Sequence, residues 1–186
     1  LRRYAVCQEV APPPSPPPPA SPPFPPPPPI TVRSSCTTSS SCSLDFAAAA
    51  LLSEAHRGQQ LIVLLDPGVY TSNEPLRVNA STVTSSLLVL GSGDGLVVLM
   101  PSPGGARELF EVAQGAPQAG VMLQGLTLRG RTLLTGGELT MQNCSVEGVS
   151  STGDGGALVI TGGMLHAVGT TFINNQASGA GGAVAV

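Results

Sequence analysis

The 186-residue sequence predicts an all-β solenoid of short strands stacked in parallel coils, preceded by one capping α-helix and a polyproline II rod. Three observations lead to this prediction. Fourteen of the 19 prolines lie between Pro12 and Pro29, glycine pairs recur at a fixed spacing after Gly136, and the apolar period changes from helical to strand-like at Gln60.

The proline-rich segment divides the chain into four predicted parts. Residues 1–11 are a short lead, residues 12–30 a stalk, residues 31–43 a polar linker with two cysteines, and residues 44–186 the first part of the solenoid. Each proline fixes φ near −65°, so the stalk is expected to form a rod on the order of 55 Å. The sequence begins without Met and stops within a repeat, which indicates a processed or truncated piece.

An amphipathic helix is predicted between the linker and the first strand. Ser43 is a plausible N-cap, Gly58 can end the helix, and the apolar residues between them lie on one face. We expect this helix to cover the open first coil. The strands that follow are LIVLLDPGVY, broken by a Pro-Gly turn, and the segments Leu76–Val78, Leu87–Leu90, Leu96–Met100, Leu109–Val112 and Val121–Leu128.

The internal repeat predicts which strands lie on one another. The glycine pair at 136–137 recurs at 162–163 and the pair at 155–156 recurs at 181–182, so the same shift of 26 positions relates both. This shift also places Leu139 on Leu165 and Val146 on Phe172, as in stacked coils. Strand alternation directs one set of side chains inward (Leu139, Met141, Leu165, Ala167) and the other outward (Thr140, Gln142, His166, Val168).

These segments resemble the pectin-lyase-like superfamily. The Ala-rich helix followed by LIVLLDPGVYT is similar to its N-terminal cap and first turn. GGALVI, TFINN and GGAVAV are similar to the repeats of polymorphic outer-membrane proteins and adhesins, with the signature residues Gly155, Gly156, Phe172, Asn175, Gly181 and Gly182. The resemblance implies a right-handed parallel β-helix over residues 44–186, in a superfamily of lyases, hydrolases, adhesins and structural walls.

The stalk resembles another class of proteins. The Ser-Pro steps at Ser15 and Ser21 are similar to extensin-like hydroxyproline-rich glycoproteins of plant and green-algal cell walls. This implies an extracellular location, at the cell wall, cell surface or flagellar surface. It also implies hydroxylation and O-glycosylation at Pro13, Pro14, Pro16, Pro17, Pro18, Pro19, Pro22, Pro23, Pro25, Pro26, Pro27, Pro28 and Pro29. An inert linker and a ligand for SH3 or WW domains are the alternatives.

The cysteines and two tripeptides agree with a secreted chain. Four cysteines permit three pairings, of which Cys36 with Cys42 is preferred because it closes a small polar loop. Cys144 aligns with an inward-facing position and is expected to be a buried free thiol, while Cys7 has a partner elsewhere or none. Asn79 and Asn143 begin N-glycosylation sequons.

No catalytic, cofactor-binding or metal-binding residue is predicted. The four aspartates, Asp45, Asp66, Asp94 and Asp154, fall at a helix start and in glycine-associated turns, without the paired pattern that glycoside hydrolysis needs. His56 and His166 lack metal-ligand neighbours. Arg129 and Arg131 bracket Gly130 at a corner and are expected to be solvated, with contact to a sugar or carboxylate as the alternative.

Charge and hydropathy limit the function. The formal net charge is −3 without any basic stripe, which argues against nucleic acid, and no apolar run is long enough for a membrane span. We expect a structural or adhesive extracellular glycoprotein whose β-helix binds glycans, other surface proteins or further copies of itself. The alternatives are a polysaccharide lyase or hydrolase with its active site beyond residue 186, and a proline-rod assembly subunit.

Overall fold

The structure, a computed structural model, describes residues 28–36, 41–45, 47, 59–79, 86–93, 96–105, 107–113 and 120–186. These residues form seventeen strands, namely β1 (Ile30–Ser34), β2 (Cys42–Ser43), β3 (Gln60–Leu65), β4 (Gly68–Ser72), β5 (Leu76–Val78), β6 (Ser86–Gly91), β7 (Val97–Pro101), β8 (Glu108–Val112), β9 (Gly120–Gln124), β10 (Thr127–Leu128), β11 (Arg131–Gln142), β12 (Ser145–Glu147), β13 (Ser150–Ser151), β14 (Leu158–Val168), β15 (Thr171–Ile173), β16 (Gln176–Ala177) and β17 (Val184–Ala185).

The strands form three sheets, and every strand pair between described residues is parallel. The nine-stranded sheet has the path β1-β3-β6-β9-β11-β14-β17, and off this path β8 pairs with β11 and β5 pairs with β8. The six-stranded sheet runs β15-β12-β10-β7-β4-β2, and β13 pairs with β16. The described chain is therefore all-β with parallel strands in stacked sheets, an arrangement compatible with a β-helix or solenoid.

The core lies between the two large sheets and consists of side-chain ladders. In the nine-stranded sheet, Leu61, Leu87, Val121 and Leu139 are consecutive partners and each is at most 2% exposed. Tyr70, Leu99, Leu128 and Val146 form the equivalent ladder in the six-stranded sheet. Because side chains alternate along a strand, each coil places its apolar residues over those of its neighbour.

The predicted stacking of the last coils is confirmed. Leu139 pairs with Leu165 and Val146 pairs with Phe172. Leu139 and Met141 are buried, and Leu165 packs against the core. Ala167 pairs with Met141 and lies on the inward side of the strand as predicted, but it is exposed. The reason is that β17 covers only Leu158 and Val159 of β14 in the described chain.

The repeat length varies among the earlier coils. Leu61 pairs with Leu87 at the same spacing as the last coils, whereas Leu87 pairs with Val121 across a longer connection. Val121 then pairs with Leu139 across a connection shorter than either. The variation lies in the connections, because the inward positions keep their register.

The corners between strands use left-handed backbone at matching positions. Asn143 has φ 52° and Gly169, its equivalent one repeat later, has φ 61°; Gly148 and Asn174 have φ 66° and 53°. Glycine and asparagine are the residues that adopt this region at least cost. A corner that returns with the same hand in successive coils lets the next strand begin above the previous one.

Two strands lie in the segment predicted as a polar linker. β1 pairs with β3 over Ile30 to Ser34, and β2 pairs with β4 through Cys42 and Tyr70. Tyr70 donates its hydroxyl to the carbonyl oxygens of Ser34 and Asp66, both at 2.9 Å. Residues 31–43 are therefore not only a polar linker, as was predicted. Apolar and polar residues alternate in ITVRS, and this segment forms strand β1 because its backbone pairs with β3.

Other sequence expectations have mixed outcomes. The Pro-Gly break between β3 and β4 is confirmed. The predicted strand 121–128 is wrong, because Gly125, with φ 67°, separates β9 from β10. Leu96 precedes β7 and is 63% exposed.

The predicted helix and stalk fall largely outside the described residues. Asp45 and Ala47 have helical conformation, and the Asp45 amide donates to Ser43 Oγ at 3.0 Å. Residues 46 and 48–58 of the helix are not among those described. Of the stalk, only Pro28, Pro29 and Ile30 are described.

The stacking generates a test with a matched pair of glycines. A methyl group at Gly156 would lie against the carbonyl oxygens of Gly182 and, at 2.5 Å, of Gln176, whereas one at Gly153 would meet only Ser151 Oγ at 4.0 Å. Gly156→Ala should lower the free energy of unfolding by about 1–3 kcal/mol through overpacking. Gly153→Ala should be close to neutral. Urea denaturation followed by circular dichroism measures both, and equal midpoints would contradict the described packing.

Candidate functional site

Charged side chains join successive coils in ion pairs. Four arginines each contact a carboxylate on a neighbouring coil, in the pairs Arg33–Asp66 (2.7 Å), Arg77–Glu111 (2.7 Å), Arg129–Glu147 (2.8 Å) and Arg131–Glu108 (2.5 Å). These side chains are 24% to 68% exposed. Pairs this accessible contribute little stability each, so their main effect is to fix charge positions along the stack.

The arginines of two of these pairs line a groove on the flank of the stack. The groove has a volume of about 430 Å³ and is lined by Arg107, Arg129 and Arg131 together with residues 148–153. A second hollow of about 370 Å³ shares Arg107 and residues 150–152 and adds Gln176. The two hollows form one surface, here called the arginine groove.

Backbone packing positions the arginines of the groove. Gly130, between β10 and β11, is buried, and a methyl group there would lie 2.6 Å from Leu109 Cγ and 2.8 Å from Pro101 Cδ. The floor of the groove therefore requires glycine at position 130. The Arg131 amide donates to the Arg107 carbonyl at 3.1 Å, which places these two residues on adjacent coils at one corner.

Two of the three guanidinium groups already have carboxylate partners. Arg129 donates from Nε and Nη2 to Glu147 Oε1, at 3.0 and 2.8 Å. Arg131 donates from Nη2 to Glu108 and from Nη1 to Ser151 Oγ at 3.2 Å. Burial raises the pKa of Glu108, but the Arg131 hydrogen bond, a backbone hydrogen bond and nearby arginine charge outweigh it and hold the pKa below its usual value.

Arg107 differs from its neighbours in the groove. It is exposed, and its guanidinium has no hydrogen bond or ion pair to any of the residues that the structure describes. Its charge nevertheless acts on Glu108 and contributes to the lowered pKa of that carboxyl.

The predicted disulfide is present. Cys36 and Cys42 are bonded, with their Cα atoms 5.8 Å apart, between β1 and β2. Cys144 is a buried free cysteine as expected, with Sγ 3.4 Å from the carbonyl oxygens of Leu123 and Gln142. Cys7 lies outside the described residues.

The signature residues of the repeat meet at the turns between coils. Asn175 donates from Nδ2 to the Val146 carbonyl at 2.8 Å, and its Oδ1 accepts from the Val149 amide at 3.0 Å. Phe172 packs against the core. Gly156 donates to the Gly182 carbonyl at 3.1 Å, and backbone bonds of this kind also join Gly155 and Gly181 to their neighbouring coils.

The sequons and the remaining polar candidates are dispersed. Asn143 is exposed and Asn79 is partly buried; glycosylation of both remains a prediction. Hydroxylation of the prolines also remains a prediction, since residues 12–27 lie outside the described part. Asp154 Oδ1 accepts from the Ala180 amide at 2.6 Å, and Asn73 Nδ2 lies 3.3 Å from Asp45. Asp94 and His56 are not described.

His166 stands apart from any set of metal ligands. It is exposed, with Nε2 3.0 Å from Met164 Sδ and 3.7 Å from Glu138. Among the residues that the structure describes, no group of three or more His, Cys, Asp and Glu side chains could hold a metal ion. In the same part of the chain, no helix has the length and apolar character of a membrane span.

Sequence reasoning singled out Arg129 and Arg131, expected both to be solvated, and kept contact with a sugar or carboxylate as the alternative; the structure shows a carboxylate contact for each. It missed Arg107, Glu108 and Glu147. Glu147 lies 18 residues from Arg129 and Glu108 lies 23 from Arg131, so neither pair follows the 26-residue shift. RELFEV carries no signal for Glu108, because strict alternation would place it on the same side as the buried Phe110 and Val112, and its outward position depends on the register shift between Arg131 and Thr132.

Comparison with protein-family models, with curated proteins and with solved structures found no match for this chain.

The Arg131–Glu108 pair predicts a specific dependence of stability on pH. Because the folded-state pKa of Glu108 is lowered, its stabilising contribution is present above the unfolded-state pKa and is lost as pH falls through the folded-state value. Glu108→Gln should therefore lose less stability than wild type between about pH 5 and pH 3. Chemical denaturation across this range measures it. Glu74→Gln, which removes an exposed carboxylate, is the control, and identical profiles for Glu108→Gln and wild type would contradict the assignment.

The burial of Cys144 predicts low thiol reactivity. Burial raises the pKa of this thiol, so little thiolate forms and reagent access is blocked in the folded chain. In a Cys7→Ser variant, a chromogenic disulfide reagent should titrate one thiol in denaturant and react orders of magnitude more slowly in native buffer. Rapid native reaction at about pH 8 would show that Cys144 is accessible.

Proposed function

We propose that this chain is an extracellular structural or adhesive glycoprotein of a cell surface or matrix. Its stacked sheets would be a right-handed parallel β-helix of the pectin-lyase-like type, presented on a hydroxyproline-rich spacer. The β-helix offers an elongated wall that binds glycans or other surface proteins. A disulfide between β1 and β2 supports the extracellular part of the proposal, since such bonds persist in oxidising compartments.

The observation that carries the binding role is that carboxylates along the stack pair with arginines of neighbouring coils. Asp66, Glu108, Glu111 and Glu147 each pair with an arginine of a neighbouring coil. A glycoside hydrolase needs two carboxyl groups about 5–10 Å apart across a scissile bond. Carboxylates held by arginine favour recognition over acid-base chemistry, and we assign no catalytic residue to this chain.

The arginine groove supports glycans as the favoured ligand class. Its lining combines guanidinium groups with the hydroxyls of Ser150, Ser151 and Thr152 and the amide of Gln176. Such donors and acceptors match the hydroxyl groups of sugars at short range. The groove is open along the stack, so an extended chain could enter it without passing through a closed pocket.

Binding without turnover tests this function. The full 186-residue chain should sediment with an insoluble cell-wall polysaccharide, or be retained by surface proteins, because its polar flank is preformed. Assays for new reducing ends and for unsaturated uronates should detect no product. The control is the Arg33→Gln variant, whose substitution lies away from the groove. Release of sugar products by the purified chain would overturn the proposal in favour of an enzyme, and failure to bind any glycan or surface protein would overturn it altogether.

A further inference from the structure

The outer face of the nine-stranded sheet carries apolar side chains on the coils that follow β1. Because side chains alternate along a strand, Ile62, Leu88 and Met122 point outward from β3, β6 and β9, where they are consecutive partners and half-buried. The same column continues with the polar residues Thr140 and His166 on the later coils. The three apolar residues, here called the apolar strip, are therefore confined to the early coils.

A hollow opens in the apolar strip at Gly120, the first residue of β9. It has a volume of about 210 Å³, and Leu88 and Met122 are among the side chains that line it. Ser86 and Glu138 lie on either side of Gly120 in the stack. Pockets that hold a whole small molecule are usually larger, so this hollow has the size for one large apolar side chain.

Neither packing nor backbone conformation in the described chain requires glycine at position 120. A methyl group there would meet only the Glu138 carbonyl oxygen, at the ordinary contact distance of 3.9 Å, and the backbone of Gly120 is not left-handed. The other residues of this outward column, Gln60, Ser86 and Glu138, carry polar side chains. Glycine therefore keeps open a space that a side chain from elsewhere can fill.

The proline-rich stalk is long enough to reach this hollow. Its last proline precedes Ile30, the first residue of β1, at one end of the nine-stranded sheet. β9 lies three strands from β1, a distance of about 14 Å at the usual strand spacing. Phe24 stands six residues before Ile30, or about 19 Å in polyproline II. The difference of about 5 Å allows the chain to turn from the sheet edge onto the outer face.

The composition of the stalk leaves one candidate for the hollow. Phe24 is the only large side chain other than proline within residues 12–29, since the remaining non-proline residues there are Ser15, Ala20 and Ser21. A tethered segment has a high effective concentration at the surface of its own chain. One aromatic ring is therefore enough for docking here, whereas a separate partner would need a larger contact.

We propose that the stalk docks on the apolar strip, with the Phe24 ring in the hollow at Gly120. Pro28 and Pro29, which are exposed, span the step from the sheet edge to the outer face. This contact fixes the direction of the stalk along the stack and leaves residues 12–23 as the spacer. Because polyproline II has three residues per turn, one face of the rod meets the sheet and the others stay open to solvent and modification.

Methyl NMR spectroscopy of the full chain with ¹³C-labelled methionine tests the contact. The Met122 methyl signal should lie upfield of its position in the Phe24→Ser variant, because an aromatic ring packs against it. It should also show a nuclear Overhauser effect to a phenyl ring, which Phe24→Ser removes. Met122→Leu assigns the signal. Met164, which is 57% exposed and lies on β14 outside the apolar strip, is the internal control, and its signal should not move.

Two further variants test the hollow and the position of the ring. Gly120→Leu fills the hollow, so the Met122 signal should be the same with and without Phe24 in this background. The double variant Phe24→Pro with Pro26→Phe keeps the composition of the stalk but turns the ring to another face of the rod. Its Met122 signal should match that of Phe24→Ser. Circular dichroism and the urea midpoint verify the fold of each variant.

Dilution identifies the chain that provides the ring. Docking within one chain does not depend on concentration, so about tenfold dilution should leave the Met122 signal unchanged. A signal that moves to the Phe24→Ser position on dilution would assign the hollow to the stalk of a neighbouring copy and overturn the proposal. A Met122 signal that is the same in wild type and Phe24→Ser, or a double variant that keeps the wild-type signal, would also overturn it. These outcomes do not depend on glycan binding and leave the proposed function untouched.

Discussion

The structure depends on the parallel register between successive coils. Each strand bonds to the strand one coil away, so one backbone ladder serves both for secondary structure and for joining coils. This register stacks Leu61, Leu87, Val121 and Leu139 in one column. A shift of one residue would turn every column from the core to solvent. The left-handed corners, as at Asn143 and Gly169, preserve the register because they return the chain at the same angle.

The sequence predicts the part of this register that is locally regular. The repeat shift identifies Leu139 over Leu165 because the connecting turns in the last coils have equal lengths. It cannot identify Val121 over Leu139, where the connection is shorter. The alternation within a strand is the same whatever the length of the loop that precedes it, so the sequence does not show which strands pair. β1 was missed for a different reason. Its alternating sequence is short and directly follows the proline-rich stalk, and its strand conformation depends on pairing with the apolar strand β3, where Ile30 and Val32 pack against the core.

The same limit applies to the candidate site. The motif Arg-Gly-Arg at 129–131 shows that two cations bracket a tight position, and the sequence therefore singles out the corner. Their carboxylate partners come from coils at other offsets, so the distinction between paired arginines and Arg107 exists only after folding. The requirement for glycine at position 130 likewise comes from close packing against Leu109 and Pro101, which are distant in sequence.

These features relate the architecture to its proposed use. Carboxylates that pair with arginines along the stack are not available as the free acids that hydrolysis requires. The same ion pairs fix the positions of the cations along the stack. Rigid groups lose little conformational freedom on binding, so even an exposed groove can recognise a ligand whose charges match its spacing. In the proposed binding role, the coil register therefore determines which cations face the ligand and how far apart they stand.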